Sequence, residues 1–102
     1  NKTEVAELLV DISQTGLASG LEFELFKPQA EVPKEFYAEL PISIRVKGDY
    51  HAFGNFISGV AALPRIVTVH DVNVAPNKDG ELTMDLLAKT YRYMEDDEGG
   101  AQ

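Results

Sequence analysis

The chain has 102 residues, of which 44% are hydrophobic and 25% charged, which is the size and composition of one folded domain. Seventeen acidic side chains against nine basic ones give a net charge of −8, so the surface would repel nucleic acids and anionic lipids. The chain contains no cysteine, which excludes disulfides, thiol catalysis and thiolate metal sites.

The sequence offers no stretch that could cross a membrane, because a spanning helix needs about 20 consecutive apolar residues. We therefore expect these residues themselves not to span a bilayer. Asn1 is not an initiator residue, so we expect an upstream part with room for a membrane anchor.

The first predicted element is a helix whose N-cap is Thr3 and which ends at Gly16 or Gly20. Its apolar residues recur at the i, i+3, i+4 and i+7 spacing of one buried helical face. These core-facing residues are Val5, Leu8, Leu9 and Ile12.

Two strands with alternating apolar residues follow, separated by a polar loop between Pro28 and Pro33. Pro41 lies inside the second strand, so its backbone must lack a ladder partner there, or a bulge must absorb it. The predicted inward residues are Leu21, Phe23 and Leu25 in the first strand, and Leu40, Ile42, Ile44 and Val46 in the second.

The stretch from Gly48 to Val69 predicts a helix that runs into a strand with almost no loop. Asp49 is the expected N-cap and Pro64 the expected stop. Gly54 and Gly59 are expected to admit the helix close to the sheet. The predicted buried face comprises Phe53, Phe56, Ile57 and Val60.

The third and fourth strands are predicted over residues 66–75 and from Leu82 onward, joined by a turn at residues 77–80. The alternation slips at His70-Asp71, where a bulge would return valines on both sides to the core. The expected inward residues are Val67, Val69, Val72 and Val74 in the third strand, and Leu82, Met84, Leu86 and Ala88 in the fourth.

The predicted order α-β-β-α-β-β closes most simply as an α+β fold, a four-stranded antiparallel sheet with both helices on one face. This is a circularly permuted ferredoxin-like arrangement with strand order third–fourth–second–first. We expect one domain over residues 1–94 and an acidic, disordered tail over 95–102, in which Glu95–Glu98 solubilises the chain and does not bind calcium.

Catalytic signals are weak, so we predict that the domain is not an enzyme and has no cofactor. His51 and His70 lie beside aspartates but lack the further donors that a metal or catalytic site needs. Tyr91-Arg92-Tyr93 is more typical of a strand end at a protein interface than of a nucleic-acid site, given the acidic surroundings.

Two surfaces are candidates for a partner interface. On the first helix, Ala6, Val10 and Leu17 lie beside the core-facing stripe, where they form either the edge of an ordinary core or a docking strip. We predict a helix-mediated homodimer or heterodimer through them. The second surface is the open sheet face around Leu87 and Tyr91.

Several motifs resemble the PilO family of type IV pilus machines: FYAELPI at residues 36–42, GDYH at 48–51, FISGVAALPRIVT at 56–68 and LAKTYRY at 87–93. One departure is Asp49, where the family pattern leads us to expect a small residue. The resemblance covers nearly the whole chain from Thr3 to Tyr93.

The resemblance implies the periplasmic C-terminal domain of a protein anchored in the inner membrane by an N-terminal helix and a coiled coil. It implies a structural role in the alignment subcomplex, with PilN as pairing partner, the lipoprotein PilP bound to the pair, and the secretin PilQ reached indirectly. The alternative function is a small-ligand sensing or regulatory domain of ferredoxin-like fold.

Overall fold

Helices and strands follow one another in the predicted order, with one additional short strand. The computed structural model describes residues 2–93, with side chains from Val5 onward, so the predicted tail at 95–102 and its Glu95–Glu98 run lie outside the described residues. The elements are α1 (Lys2–Ala18), β1 (Glu22–Pro28), β2 (Val32–Pro33), β3 (Tyr37–Lys47), α2 (Tyr50–Ala61), β4 (Val67–Pro76) and β5 (Leu82–Tyr93).

The strands form one antiparallel sheet in the order β1-β3-β5-β4, which confirms the predicted strand order. The prediction of four strands is wrong by one, because β2 pairs with β3 through Val32–Glu39 and Pro33–Ala38. β3 extends past the end of β1, and β2 supplies partners for its backbone groups there. The α+β fold with two helices and an antiparallel sheet is confirmed, while its ferredoxin-like, permuted description stays a prediction.

Both helices cover the same face of the sheet, because their apolar side chains join those of β3 and β5 in one core cluster. Alternate residues along β3 and β5 are buried, as the period of two requires. This confirms the inward residues predicted for these two strands. The largest fully buried side chains are Phe56, Leu8, Ile12, Ile42, Ile44, Met84 and Val46.

Helix α1 contributes Leu8 and Ile12 to the core, with Val5 and Leu9 packed at its edge, which confirms the predicted core-facing stripe. The predicted cap is wrong, because Thr3 already lies within the helix.

The end of α1 distinguishes the two candidate glycines. Gly20 follows the last helical turn with φ of 86°, so Gly20 ends the helix. Gly16 lies inside the helix, where a Cβ would collide with the ring of Phe23. Gly16 therefore serves the packing of α1 against β1.

An irregularity in β1 changes which of its residues face the core. The register with β3 shifts between Phe23 and Leu25. Phe26 then packs against the core, with its ring 5.5 Å from that of Phe23 in an edge-on contact. Leu25 is 41% exposed, so its predicted inward position is wrong, because one extra residue reverses the alternation.

The predicted bulge in β4 is present. The register with β5 shifts between His70 and Asn73, and Asp71 between them has φ of 56°. Val74 packs against the core as predicted. Val72 is 50% exposed, so its predicted inward position is wrong, because it lies in the bulge, where two residues oppose one.

Pro41 occupies the central strand β3 at the point where its neighbour changes. β1 pairs as far as Ile42 and β2 pairs from Glu39, so the position of Pro41 falls between them. The Pro41 carbonyl accepts a hydrogen bond of 2.8 Å from the backbone N–H of Gln29 in the intervening loop. The missing ladder partner is therefore confirmed as the way this proline is accommodated, and the register with β5 is unbroken.

Helix α2 begins and ends where the sequence predicts. The Asp49 side chain accepts a hydrogen bond of 2.7 Å from the Ala52 N–H, which confirms the N-cap, and the helix ends before Pro64. Ile57 is only partly buried, so its predicted place in the core is corrected to the edge of the core. The buried residues of α2 are Ala52, Phe53, Phe56 and Val60.

The two glycines of α2 have different surroundings. A Cβ on Gly59 would lie 2.6 Å from the Thr15 Cγ2 of α1, whereas Gly54 has nothing within 4 Å. The Thr15 hydroxyl donates to the Asp11 carbonyl at 2.7 Å, which fixes the direction of the methyl group. The predicted approach to the sheet is therefore wrong for both: Gly59 admits α1, and Gly54 faces solvent.

Replacing Gly54 and Gly59 by alanine should change stability in opposite directions. Gly54→Ala should raise the free energy of unfolding by about 0.5–1 kcal/mol, because alanine favours the helix and meets nothing. Gly59→Ala should lower it by about 1–3 kcal/mol, because the methyl group overpacks the contact with Thr15. Urea denaturation of both variants measures this difference. A stabilised Gly59→Ala variant would show that the two helices can separate at no cost.

Phe56 and Ile57 provide a second comparison on the same helix. Phe56→Ala should cost about 3–5 kcal/mol, because the ring is completely buried. Ile57→Ala should cost about 1–2 kcal/mol, because part of the Ile57 side chain stays in contact with water. Equal losses in a urea melt would contradict the observed position of α2 on the sheet.

Candidate interaction surfaces

Three surfaces of the domain carry the residues that could bind a partner: a stripe on α1, the face of the sheet opposite the helices, and a groove at one end. On α1, Val10 is 51% and Leu17 65% exposed, and Ala6 is exposed as well. The helix turns 100° per residue, so these three side chains share one direction away from the core-facing residues. The structure thus brings the three predicted helix residues together on the surface.

Ser13 completes this stripe, and the sequence analysis missed it. Ala6, Val10, Ser13 and Leu17 follow one another at spacings of four, three and four residues, the spacing of a coiled-coil seam. We call these four residues the α1 stripe. The Ser13 hydroxyl donates to the Val10 carbonyl at 3.0 Å, so its hydrogen-bonding demand is met within the helix.

The side of α1 next to the stripe is acidic, and one arginine contacts two of its carboxylates. Arg65, in the loop between α2 and β4, lies with its Nη2 3.1 Å from the Glu7 Oε1 and its Nε 3.8 Å from the Asp11 Oδ2. Glu7 and Asp11 are one helical turn apart, so a single guanidinium reaches both carboxylates. Sequence reasoning missed this contact because no periodicity relates residues so far apart in the chain.

The second surface, the open sheet face, carries the outward residues of the strands. Leu87 lies in β5 between Ser43 and His70 of the neighbouring strands and is partly buried. Ion pairs cross this face, Arg45–Asp85 at 2.7 Å and Lys89–Glu39 at 3.3 Å. Such exposed pairs contribute little stability, but they make the face polar around Leu87.

Tyr91, the other predicted residue of this face, belongs to a cluster of aromatic and polar side chains. Its ring contacts that of Tyr37 edge-on at 5.5 Å, and its hydroxyl lies 3.1 Å from the Thr68 Oγ1. The same Thr68 oxygen is 2.7 Å from the His70 Nε2. Leu87 and Tyr91 are therefore on the same strand and face, opposite the side of the sheet that carries α1.

The histidines do not form a metal site in the described residues, where no group of three or more histidine or acidic side chains is arranged to hold an ion. His51 is exposed at the start of α2, and His70 is bound to Thr68 next to the bulge. The two predicted neighbours, Asp49 and Asp71, have local roles at a helix cap and at a positive-φ position.

The third surface, the end groove, lies where β3 begins and β5 ends. It has a volume of about 410 Å³, and the apolar residues that line it include Val5, Leu8, Leu40 and Ile66. Arg65 also lines the groove and contacts Glu7 of α1. Ile66 is 71% exposed at its mouth.

The rim of the end groove is closed on one side by a two-pronged ion pair. The Arg92 Nε and Nη2 donate to the two Glu31 oxygens at 2.8 and 3.0 Å. These hydrogen bonds hold the pKa of the Glu31 carboxyl below its usual value, against the opposing effect of its partial burial. The pair joins the loop between β1 and β2 to the end of β5.

None of the helices in the described residues is both long and apolar enough to cross a membrane. A family model described as "Type IVa pilus alignment subcomplex PilO C-terminal domain" matches residues 4–95. The Type IV pilus inner membrane component PilO of Pseudomonas aeruginosa is 57% identical over 94 residues. That alignment covers 89% of this chain and 45% of the relative, so the chain spans less than half of the relative's length.

Solved structures agree with the sequence comparisons. The crystal structure of the type 4 fimbrial biogenesis protein PilO from P. aeruginosa matches with a TM-score of 0.83 at 54% identity, covering 91% of this chain and 71% of that one. The core region of PilO from the same organism matches with a TM-score of 0.74 at 54% identity, covering 85% of this chain and 92% of that one. An Akkermansia muciniphila protein, 10% identical, has a TM-score of 0.69 over 82% of this chain and 48% of its own, and shows the fold alone. The chain therefore belongs to the PilO family of type IV pilus proteins.

Proposed function

We propose that this chain is a non-catalytic interaction domain of the type IV pilus machine, pairing with PilN and binding PilP. Through PilP it would link the inner-membrane platform to the outer-membrane secretin PilQ. Membership of the PilO family supports this role, as does the name of the P. aeruginosa relative, an inner membrane component of the type IV pilus. We further propose that the domain lies on the periplasmic side of the inner membrane and that an N-terminal membrane anchor outside these residues holds it there. Its fold would be a circularly permuted ferredoxin-like arrangement.

The observation that carries the proposal is the α1 stripe. Val10 and Leu17 expose half or more of their surface on a helix whose opposite side already serves the core. Exposed apolar side chains at coiled-coil spacing favour a second helix as their cover. Because Ala6 and Ser13 are small, the second helix could approach closely along the stripe.

The open sheet face is the weaker candidate for this pairing. Its predicted residues, Leu87 and Tyr91, are partly buried among the ion pairs and hydrogen bonds of neighbouring strands. A partner on the sheet face would have to replace these polar contacts, whereas a partner on the α1 stripe would only have to bury apolar surface. We therefore assign the helix pairing, in a homodimer or with PilN, to α1.

Val10→Glu should weaken pairing, because it places a charge in the centre of the stripe. We expect sedimentation to show at least a tenfold weaker self-association, or calorimetry a similarly weaker binding of the PilN periplasmic domain. The melting temperature should change little, because Val10 lies outside the core.

Asn55→Glu is the matched control, since it adds the same charge at an exposed position of the other helix. It should leave both associations unchanged. Loss of folding in Val10→Glu would place Val10 in the core, and unchanged association in a folded variant would move the interface away from α1.

A further inference from the structure

The turn between β4 and β5 contains a peptide bond that is open to chemical rearrangement. Asp79 precedes Gly80, and no other aspartate or asparagine in the sequence is followed by glycine. Aspartyl–glycine bonds rearrange more readily than other aspartyl bonds, because glycine has no side chain to shield its nitrogen. Both residues are exposed, and a Cβ added to Gly80 would meet nothing within 4 Å. Sequence and exposure therefore both favour reaction at this bond.

The rearrangement proceeds through a cyclic imide and needs no reagent other than water. The Gly80 nitrogen attacks the side-chain carboxyl carbon of Asp79, a carbon–nitrogen bond forms, and the nitrogen's proton leaves with the carboxyl hydroxyl as water. Water then opens the imide at either carbonyl, which regenerates aspartate or gives isoaspartate. In isoaspartate the main chain runs through the Cβ and Cγ of residue 79, so the backbone is longer by one carbon.

Asn77 holds the backbone of this turn at three successive residues. Its side-chain Oδ1 accepts hydrogen bonds from the Asp79 N–H at 2.9 Å and from the Glu81 N–H at 3.0 Å. Its carbonyl accepts a hydrogen bond of 3.0 Å from the Gly80 N–H, and its own N–H donates to the Glu81 carbonyl at 2.7 Å. The nitrogen that would attack is therefore engaged by the Asn77 carbonyl.

The backbone angles of the turn also keep the two reacting groups apart. The hydrogen bond from Gly80 to Asn77 defines a β-turn with Lys78 and Asp79 at its centre. Neither central residue has a positive φ, which excludes types I′, II and II′ and leaves type I. A type I turn holds the ψ of Asp79 at about 0°. Ring closure requires a rotation about this bond that brings the Gly80 nitrogen into line with the Asp79 Cβ, and this rotation breaks the hydrogen bond to Asn77.

We propose that Asp79 is a latent isomerisation site of this domain and that the side chain of Asn77 protects it. While Asn77 keeps the turn closed, isoaspartate forms slowly. When the turn opens, the imide forms at the rate of an unstructured aspartyl–glycine bond. This modification site goes beyond the proposed pairing function and does not depend on it.

Isoaspartate in this turn would loosen the adjoining strands. The ladder between β4 and β5 begins next to the turn, at the pair Pro76–Leu82. The additional backbone carbon would move Glu81 away from Asn77 and from Lys47 of β3, whose Nζ lies 3.5 Å from the Glu81 Oε1. The modified chain should therefore melt at a lower temperature than the unmodified one.

Ageing of the whole chain at physiological pH and temperature tests the protection. Isoaspartate is measured by mass spectrometry of peptides, with fragmentation that distinguishes the two linkages. It should accumulate about tenfold more slowly in the folded chain than in the same chain unfolded in urea, because ring closure in the folded chain waits for hydrogen bonds of the turn to break. Equal rates in the two states would overturn the protection, and no isoaspartate at residue 79 in urea would overturn the site.

Two substitutions of Asn77 assign the protection to its side chain. Asn77→Ala removes the acceptor of two hydrogen bonds and should raise the rate in the folded chain about fivefold. Asn77→Asp retains an oxygen at the same position and should age like the unaltered chain. An unchanged rate in Asn77→Ala would refute the role of Asn77, as would loss of protection in Asn77→Asp.

Asp79→Glu is the matched control for the chemistry. Its side chain is longer by one carbon, so the five-membered imide cannot form and the isoaspartate signal should disappear. A persisting signal would place the modification at another residue. Hydrogen exchange at Met84, a buried residue of β5, checks that each variant is folded. Should Asn77→Ala unfold, the comparison of the unaltered chain with and without urea still decides whether the turn protects Asp79.

Discussion

The burial of one face of the two central strands is the constraint on which the rest of this structure depends. The inner side chains of β3 and β5 are almost completely excluded from water, and both helices contribute to the same cluster. Burial of apolar surface stabilises by about 25 cal/mol per Å², so this layer supplies most of the favourable free energy of folding. Phe56 and Ile12, both fully buried, anchor one helix each to the sheet. The opposite face has no such layer in the described residues and is crossed by ion pairs.

The outer strands adapt to this centre through local irregularities. β1 gains one residue at Glu24, and β4 contains the bulge at Asp71, whereas the register between β3 and β5 runs without interruption. An extra residue in an edge strand changes which side chains reach the core and interrupts the regular edge. Exposed, regular edges invite pairing with other chains. Bulges in both edge strands therefore make the addition of a further strand at these edges less favourable.

The surfaces differ in what a partner would have to displace. On the open sheet face, polar side chains already contact one another, as Thr68 does with Tyr91 and His70. The α1 stripe offers apolar surface with its hydrogen bonds met inside the helix. Arg65 connects α1 with the end groove, since it binds Glu7 and Asp11 and lines the groove. The distinctive features of this domain are its contact surfaces, which is consistent with its membership of a family of structural pilus proteins.

The sequence by itself determined the features that depend on neighbouring residues. The alternation in β3 and β5, the Asp49 cap and the exposed positions of Ala6, Val10 and Leu17 on α1 were all predicted, as was the family. These features follow from the periods of strands and helices and from local hydrogen bonds.

Only the tertiary structure decided the features that depend on distant contacts. Phe26 takes the core position predicted for Leu25, because β1 contains one extra residue relative to β3. The extra strand β2 pairs with the part of β3 that extends past the end of β1. The ion pair between Arg65 and α1 forms because the loop after α2 passes beside the start of the first helix. The end groove lies between the same two segments. Such contacts join residues that no local period relates, so packing in three dimensions alone selects them.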